Sequence, residues 1–260
     1  MFRRLNVFIH SFLEIFGVRL KRMQSKEALE SVIELLRPRP SQSTLIRLGP
    51  NNDGGYLVPN DLEEIKALFS PGVDQISMFE VHCAERGMAV HMADASVEGP
   101  ANTIKGEWTF EKKFLGSADE GIFINMDGWV NRKCPGSTDL LLQMDIEGAE
   151  YDIIRSMSEN LLQRFRYMVI EFHQLHQLWE PNSSHQYEAF EKLYRTHTPV
   201  HIHPNNCCPI KTRHGIDVPN VLEVTYARKE RVSADGEIKL PHELDGLNVK
   251  SKPEIRLSNL

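Results

Sequence analysis

The chain has 260 residues, 41% hydrophobic and 25% charged, a globular composition long enough to bury a full core as one large domain or two small ones. The formal net charge of -6 argues against nucleic acid as the main partner. That charge is uneven: residues 1–40 hold eight Lys and Arg against four Glu, so the acidity lies in residues 41–260.

Leu5, Phe8, Ile9, Phe12, Leu13 and Phe16 fall at helical spacing on one face of a basic segment, with a break at Gly17. This amphipathic helix packs on the domain, builds a homodimer, or lies peripherally on a membrane surface. Arg3 and Arg4 ahead of apolar residues imitate a secretory leader. However, Asn6, His10, Ser11 and Glu14 interrupt the run, and no small-residue cleavage site comes after it. Helix is expected to about residue 36, and Pro38 and Pro40 end that region. A turn-rich segment, Gly49 to Tyr56, comes next, then a short helix over Asp61–Ala67. Phe69 runs into the turn Ser70-Pro71-Gly72-Val73-Asp74. A helix is expected over Phe79–Arg86, and strands over Ala89–Ala93, Trp108–Phe114, Leu140–Met144 and Tyr167–Phe172. A helix over Tyr187–Tyr194 precedes closing strands at Val200–His203 and Val221–Tyr226. Residues 229–260 read as a polar tail. Alternating strands and helices imply a mostly parallel sheet covered on both faces. The last two strands are joined by turn residues, which implies an antiparallel pair at one edge.

No apolar run approaches the roughly 18 residues of a membrane span. Cys83, Cys134, Cys207 and Cys208 form no CxxC pair. A vicinal pair is a poor staple, so the thiols read as reduced and the protein as cytoplasmic.

In open α/β sheets, ligands bind at the carboxyl ends of the strands. Asp145 ends the Leu140–Met144 strand, and Gly148 and a helical pattern come at once after it. Glu147 and Glu150 are accounted for by the helix macrodipole, whereas Asp145, at the strand end, is placed for chemistry. Gly72 permits close backbone approach to a ligand, although a simple turn explains it better, and GxGxxG is absent. Asp94, ending its strand, suits both hydroxyls of a ribose, or caps a helix. Seven of the eleven histidines lie between residues 173 and 214, which draws attention to the strand ends there. Glu171 and His173 share one face of an extended segment, and with His203 they could bind a divalent metal or supply a general base. Core packing is the favoured role for each tryptophan, and Trp179, beyond the end of that strand, is the first choice if one contacts substrate.

In chain order, Asp53-Gly54-Gly55-Tyr56, Phe69-Ser70-Pro71-Gly72-Val73 with Glu80, His91-Met92-Ala93-Asp94, Met144-Asp145-Ile146-Glu147-Gly148-Ala149-Glu150, Glu171-Phe172-His173, His203-Pro204-Asn205-Asn206 and Leu222-Glu223-Val224-Thr225 resemble the FkbM family of S-adenosylmethionine-dependent methyltransferases. Pro71 stands where relatives tend to have another residue. The resemblance runs from about residue 45 to 228. It does not cover residues 1–40 or 230–260; the chain thus divides into a helical extension over 1–40, a methyltransferase domain over 41–228 and a polar tail over 229–260.

The resemblance implies a Rossmann-like class I methyltransferase fold, seven mostly parallel strands with an antiparallel edge strand and helices on both faces. S-adenosylmethionine is the implied cofactor, bound by Asp53, Gly54, Gly55, Gly72, Glu80, Asp94 and Asp145. The implied activity is O-methylation of a small-molecule or glycan acceptor, with Asp145, His173 and His203 as catalytic residues. A magnesium-like divalent ion on Asp145, Glu171 and His173 is expected by analogy with metal-dependent O-methyltransferases. The alternatives are a non-catalytic scaffold that keeps this fold, or a metal-dependent hydrolase, against which the missing HExxH spacing weighs.

Overall fold

The computed structural model describes residues 23–73 and 76–257. The amphipathic segment Leu5–Phe16, Gly17 and Asp74 lie outside the described residues. Helix α1 (Lys26–Leu36) starts at Ser25, whose side chain accepts from the Ala28 N–H, and buries Leu29, Val32, Ile33 and Leu36. An antiparallel hairpin comes next, β1 (Leu45–Leu48) and β2 (Tyr56–Pro59), across the expected turn-rich segment. The chain then forms β3 (Ala67–Pro71), α2 (Met78–Ala84), β4 (Ala89–Ala93) and β5 (Trp108–Glu111). The short pair β6 (Phe114–Leu115) and β7 (Phe123–Ile124) leads into α3 (Met126–Lys133). Next come β8 (Leu140–Met144), α4 (Glu150–Ser156), α5 (Glu159–Arg164) and β9 (Phe165–Phe172). Helix α6 (Ser184–Thr196) precedes β10 (His197–Pro204). The ribbon β11 (Lys211–Arg213) and β12 (Ile216–Val218) then feeds β13 (Leu222–Arg228).

The main sheet has the order β10-β13-β9-β8-β3-β4-β5. Every strand is parallel to its fellows except β13, which runs against both β9 and β10. This is the seven-stranded arrangement of a Rossmann-like class I methyltransferase fold, with the expected antiparallel pair at one edge. The reversed strand is second from that edge, because β13 returns inside β10.

Alternation along each strand sorts the core into two layers. Leu140, Leu142 and Met144 of β8 and Met168, Ile170 and Phe172 of β9 face α1 and α3 to α6. Leu141, Tyr167 and Val169 face the other way, toward α2 and the β1–β2 hairpin. Among the described residues, one face is therefore covered by a hairpin and a single short helix. The expected helix over Asp61–Ala67 does not form. Glu64 turns left-handed at φ 67°, and Ala67 already begins β3.

Residues 229–257 are pinned rather than loose. His201 pairs with Asp245 at 2.8 Å, and the Asn206 amide donates to the carbonyls of Val249 and Lys252. No helix among the described residues is long and apolar enough to cross a membrane.

His197 is fully buried at the start of β10, with Nε2 2.7 Å from the Phe165 carbonyl oxygen. Burial lowers its pKa to about 4. The unfolded chain therefore takes up a proton near pH 6.5 that the folded chain refuses until about pH 4, and stability falls as pH drops through that window. The loss amounts to about 3 kcal/mol at the acid end. In urea titrations at pH 7 and pH 4.5, wild type should lose this increment relative to His197→Gln.

Candidate active site

The point where strand connections diverge in opposite directions lies between β3 and β8, and ligands bind at the carboxyl ends of strands in such a place. There the backbone comes unusually close to itself. Gly72 has φ +81°, and a Cβ on it would sit 1.6 Å from the Asp145 carbonyl oxygen. The Asp145 N–H donates to the Pro71 carbonyl at 3.2 Å, and the Gly72 N–H to the Ala93 carbonyl at 3.0 Å, tying the ends of β8, β3 and β4 together. Only glycine fits this crossing. Gly55 is held as tightly, since a Cβ there would meet the Pro50 carbonyl oxygen at 1.9 Å.

Two adjoining cavities open over this crossing, of about 520 and 390 Å³, sharing Gly72, Asp94, Ser96, Asp145 and Glu147. The smaller is walled by Phe114, Leu115 and Phe123, whose aromatic rings are 6.3 Å apart. The larger is polar, with Asp53, Glu171, His173, Gln174, Asn205 and Asn220 in its walls. A small third recess holds Gly54, Tyr56, Glu80 and Gln143.

Asp94 occupies the join of the two larger cavities. Its Oδ1 accepts from the Ser96 N–H at 2.7 Å and from the Ser96 hydroxyl at 2.6 Å, and its Oδ2 accepts from the Val73 N–H at 3.1 Å. Glu80 is buried beneath Ser70, whose Oγ lies 2.5 Å from Glu80 Oε1 and 2.7 Å from the Gln143 amide. One hydroxyl has one proton, so only one of these partners is its acceptor. Burial raises the Glu80 pKa to about 7, and the Ser70 hydrogen bond works against that rise.

On the face of the sheet toward α2, the apolar pattern gives way to acids at the strand ends. Glu171 of β9 lies opposite Glu223 of β13, which lies opposite His203 of β10. Glu171 accepts from Asn205 at 2.9 Å and from the Tyr56 hydroxyl at 3.4 Å. Burial and the facing Asp145 and Glu223 carboxylates raise its pKa well above the ordinary range. Asp145 is likewise raised to about 7, by burial first; His173 opposes the rise while Glu147 and Glu150 add to it. Asp145 Oδ1 is buried and has no hydrogen-bond partner.

His173 stands among these acids. Nδ1 lies 3.0 Å from Glu150, and Nε2 lies 3.7 Å from Asp145, 3.5 Å from Glu147 and 3.9 Å from Glu171. Burial alone would lower its pKa, but the Glu150 bond and the surrounding carboxylates raise it to about 9. Glu150 is fully buried and also accepts from the Ile146 and Gly148 N–H groups. Two cleft-lining residues, Glu147 and Gln174, take left-handed backbone at φ 58°, which is uncommon without glycine.

Asp145, Glu171 and His173 thus converge, each offering a ligand atom within 4.8 Å of the others. Asp53 shares a second such grouping with Glu171 and Glu223. His203 is not brought to the cleft. It hydrogen-bonds Glu223 at 3.2 Å and lines a separate small recess with Leu240 and Pro241. Trp179 is not there either. It is buried beneath the Arg213 guanidinium, 5.4 Å from the ring centroid. Sequence reading passed over Gln143, although a polar residue at an inward position of a buried strand is a detectable signal. It also passed over Phe114 and Phe123, which sit on two-residue strands too short to show a periodicity.

Residues 132–196 match the family profile described as Methyltransferase FkbM domain. That span runs from the end of α3 to the end of α6 and contains Asp145, Glu150, Glu171 and His173. The match supports a methyltransferase, and the resemblance read from the sequence is found there. No curated protein matches the chain. Among solved structures, the chain is similar to magnesium protoporphyrin IX methyltransferase from Synechocystis PCC 6803 with bound SAM. The identity is 10% over 65% of this chain and 73% of that one, with TM-score 0.33. A structure described as conversion of a disulfide bond into a thioacetal group during echinomycin biosynthesis is 14% identical over 78% of this chain and 93% of that one, with TM-score 0.35. Likenesses this distant decide nothing about activity.

Two outcomes are expected from the geometry. Gly72→Ala should destabilise the protein by about 3 kcal/mol or more, because it adds a backbone clash to a left-handed residue; thermal unfolding measures it. Glu150→Gln should move the His173 titration from about 9 down toward the ordinary histidine value, read by NMR of the imidazole protons.

Proposed function

We propose that the protein is an S-adenosylmethionine-dependent methyltransferase that methylates a hydroxyl oxygen of a sugar, glycan or natural-product acceptor. The observation that carries this reading is the Gly72–Asp145 crossing, with Asp94 at the join of one aromatic-walled and one polar cavity. The family match over residues 132–196 supports it independently.

The residues fit the cofactor. Asp94 is positioned to accept from ribose hydroxyls. Phe114 and Phe123 offer faces to a planar base, and the recess at Gly54, Glu80 and Gln143 offers polar groups to an amino-acid moiety. When bound, the cofactor supplies a methyl group activated by its sulfonium. The chain's own task is then alignment and proton removal, and alignment alone is worth roughly 7–11 kcal/mol in favourable cases.

The polar cavity suits a hydroxyl-rich acceptor, since carboxylates and the amides of Gln174, Asn205 and Asn220 line it. An Asp145 carboxyl near pKa 7 is matched to accepting a proton at neutral pH, whereas His173, near 9, is held as the cation that offsets the acids. A divalent cation also fits. Asp145, Glu171 and His173 would hold it, the unpartnered Asp145 Oδ1 included, once it displaces a proton from His173, and it would lower the pKa of an acceptor hydroxyl.

Calorimetric titration with S-adenosylhomocysteine tests the reading. Saturable binding is expected, weakened about tenfold or more by Asp94→Asn, which keeps the shape and loses the charge. A folded sample that binds nothing, with or without magnesium, would leave the scaffold or hydrolase reading. Turnover that survives exhaustive chelation would eliminate the cation.

A further inference from the structure

Cys207 and Cys208 line the polar cavity and have no part in the chemistry proposed above. All four cysteines of the chain are free. The Cys207 thiol lies 3.1 Å from the Cys208 sulfur, so the two side chains already point the same way. Both are partly exposed, whereas Cys83 is fully buried and Cys134 contacts Thr138 away from the cleft.

The backbone around the pair is held from both sides. The Cys207 N–H donates to Asn205 Oδ1 at 2.9 Å, and the same Asn205 side chain donates from Nδ2 to Glu171 Oε1 at 2.9 Å. The Cys207 carbonyl accepts from the Lys252 ammonium. One hydrogen-bonded path therefore runs from the thiol pair to the central acid of the cleft.

We propose that Cys207 and Cys208 form a reversible dithiol–disulfide pair in the wall of the acceptor cavity. Adjacent Cα atoms are about 3.8 Å apart across a trans peptide, while relaxed disulfides need roughly 4.4 Å or more. A bond between neighbours is therefore strained, and strained, accessible disulfides are the readily reduced ones. The pair is unsuited to stapling the fold and suited to cycling.

The oxidant is a low-molecular-weight disulfide such as glutathione disulfide. Cys208 sulfur, losing its proton, attacks one glutathione sulfur, and one glutathione leaves as thiol. Cys207 sulfur then attacks the Cys208 sulfur of the mixed disulfide, and the second glutathione leaves. Two S–H bonds are replaced by one S–S bond, and two electrons and two protons pass to the oxidant, reduced to two thiols. Closing the small ring must turn the Cys207–Cys208 peptide, so its carbonyl, that of Cys207, swings away from the Lys252 ammonium. The aromatic-walled cavity contains neither cysteine.

Folded full-length protein is incubated with glutathione disulfide, quenched by alkylation, and analysed by intact mass and peptide mapping. The expected product has lost two hydrogens, retains no glutathione, carries its cross-link in the peptide spanning both residues, and returns to the starting mass with dithiothreitol. Cys207→Ser should instead keep glutathione on Cys208. A wild-type chain that stops at a glutathione adduct, or does not react, overturns the proposal. The link to the acceptor cavity rests on the methyltransferase reading, and S-adenosylhomocysteine affinity should then agree within about twofold between the reduced and oxidised forms. Oxidation that abolishes this binding would overturn that placement. If neither form binds, the methyltransferase reading fails while the mass result stands.

Discussion

The site depends on two backbone segments meeting at closer than side-chain distance. Gly72, at the end of β3, lies against the Asp145 carbonyl, at the end of β8, with no room for a Cβ. That contact brings the ends of β3, β4 and β8 into one plane of hydrogen bonds, and it places Asp94 and Asp145 on opposite sides of one glycine. A larger residue would part the strands, and the two cavities would lose their common floor.

A second constraint is electrostatic. The strand ends gather Asp145, Glu171 and Glu223 in a poorly solvated place, where ionised carboxylates repel one another and lose hydration. The structure answers Glu171 with neutral donors and Asp145 with a cation. Asn205 and Tyr56 hold Glu171, and Glu150, itself anchored by two backbone N–H groups, holds His173 among the acids. Protons are consequently retained here to higher pH than on ordinary side chains, with Asp145 near neutrality and His173 above it. Poised protonation of this kind is what acid–base chemistry requires.

Much of this was legible in the residues. The strands Ala89–Ala93 and Leu140–Met144 coincide with those expected, because each is a short apolar run stopped by an acid, and burial on both faces leaves no other use for it. Asp94, Asp145, Glu171 and His173 were legible for the same reason, as polar residues where an apolar pattern stops. Other features were set by contacts remote in sequence. His203 looked like a cleft residue until β13 inserted beside β10 and set Glu223 between it and the acids. Trp179 takes the core-packing role favoured for it, not that of a substrate contact, its ring taken up by the core and by Arg213. Phe114 and Phe123 had no period to betray them.

The last stretch of described chain returns to the cleft. Asn248 donates to Asp53 Oδ1 at 3.1 Å and to Glu223 Oε1 at 2.6 Å, bridging the loop after β1 and the reversed strand. Asn206, next to the thiol pair, is clasped by the backbone of Val249 and Lys252. During synthesis the sheet has all seven strands once residue 228 has emerged, yet the acidic wall still lacks its cross-tie. The residue that ties the acidic wall together thus lies twenty positions beyond the strand that completes the sheet, so the pocket's integrity depends on a segment the sheet itself does not need.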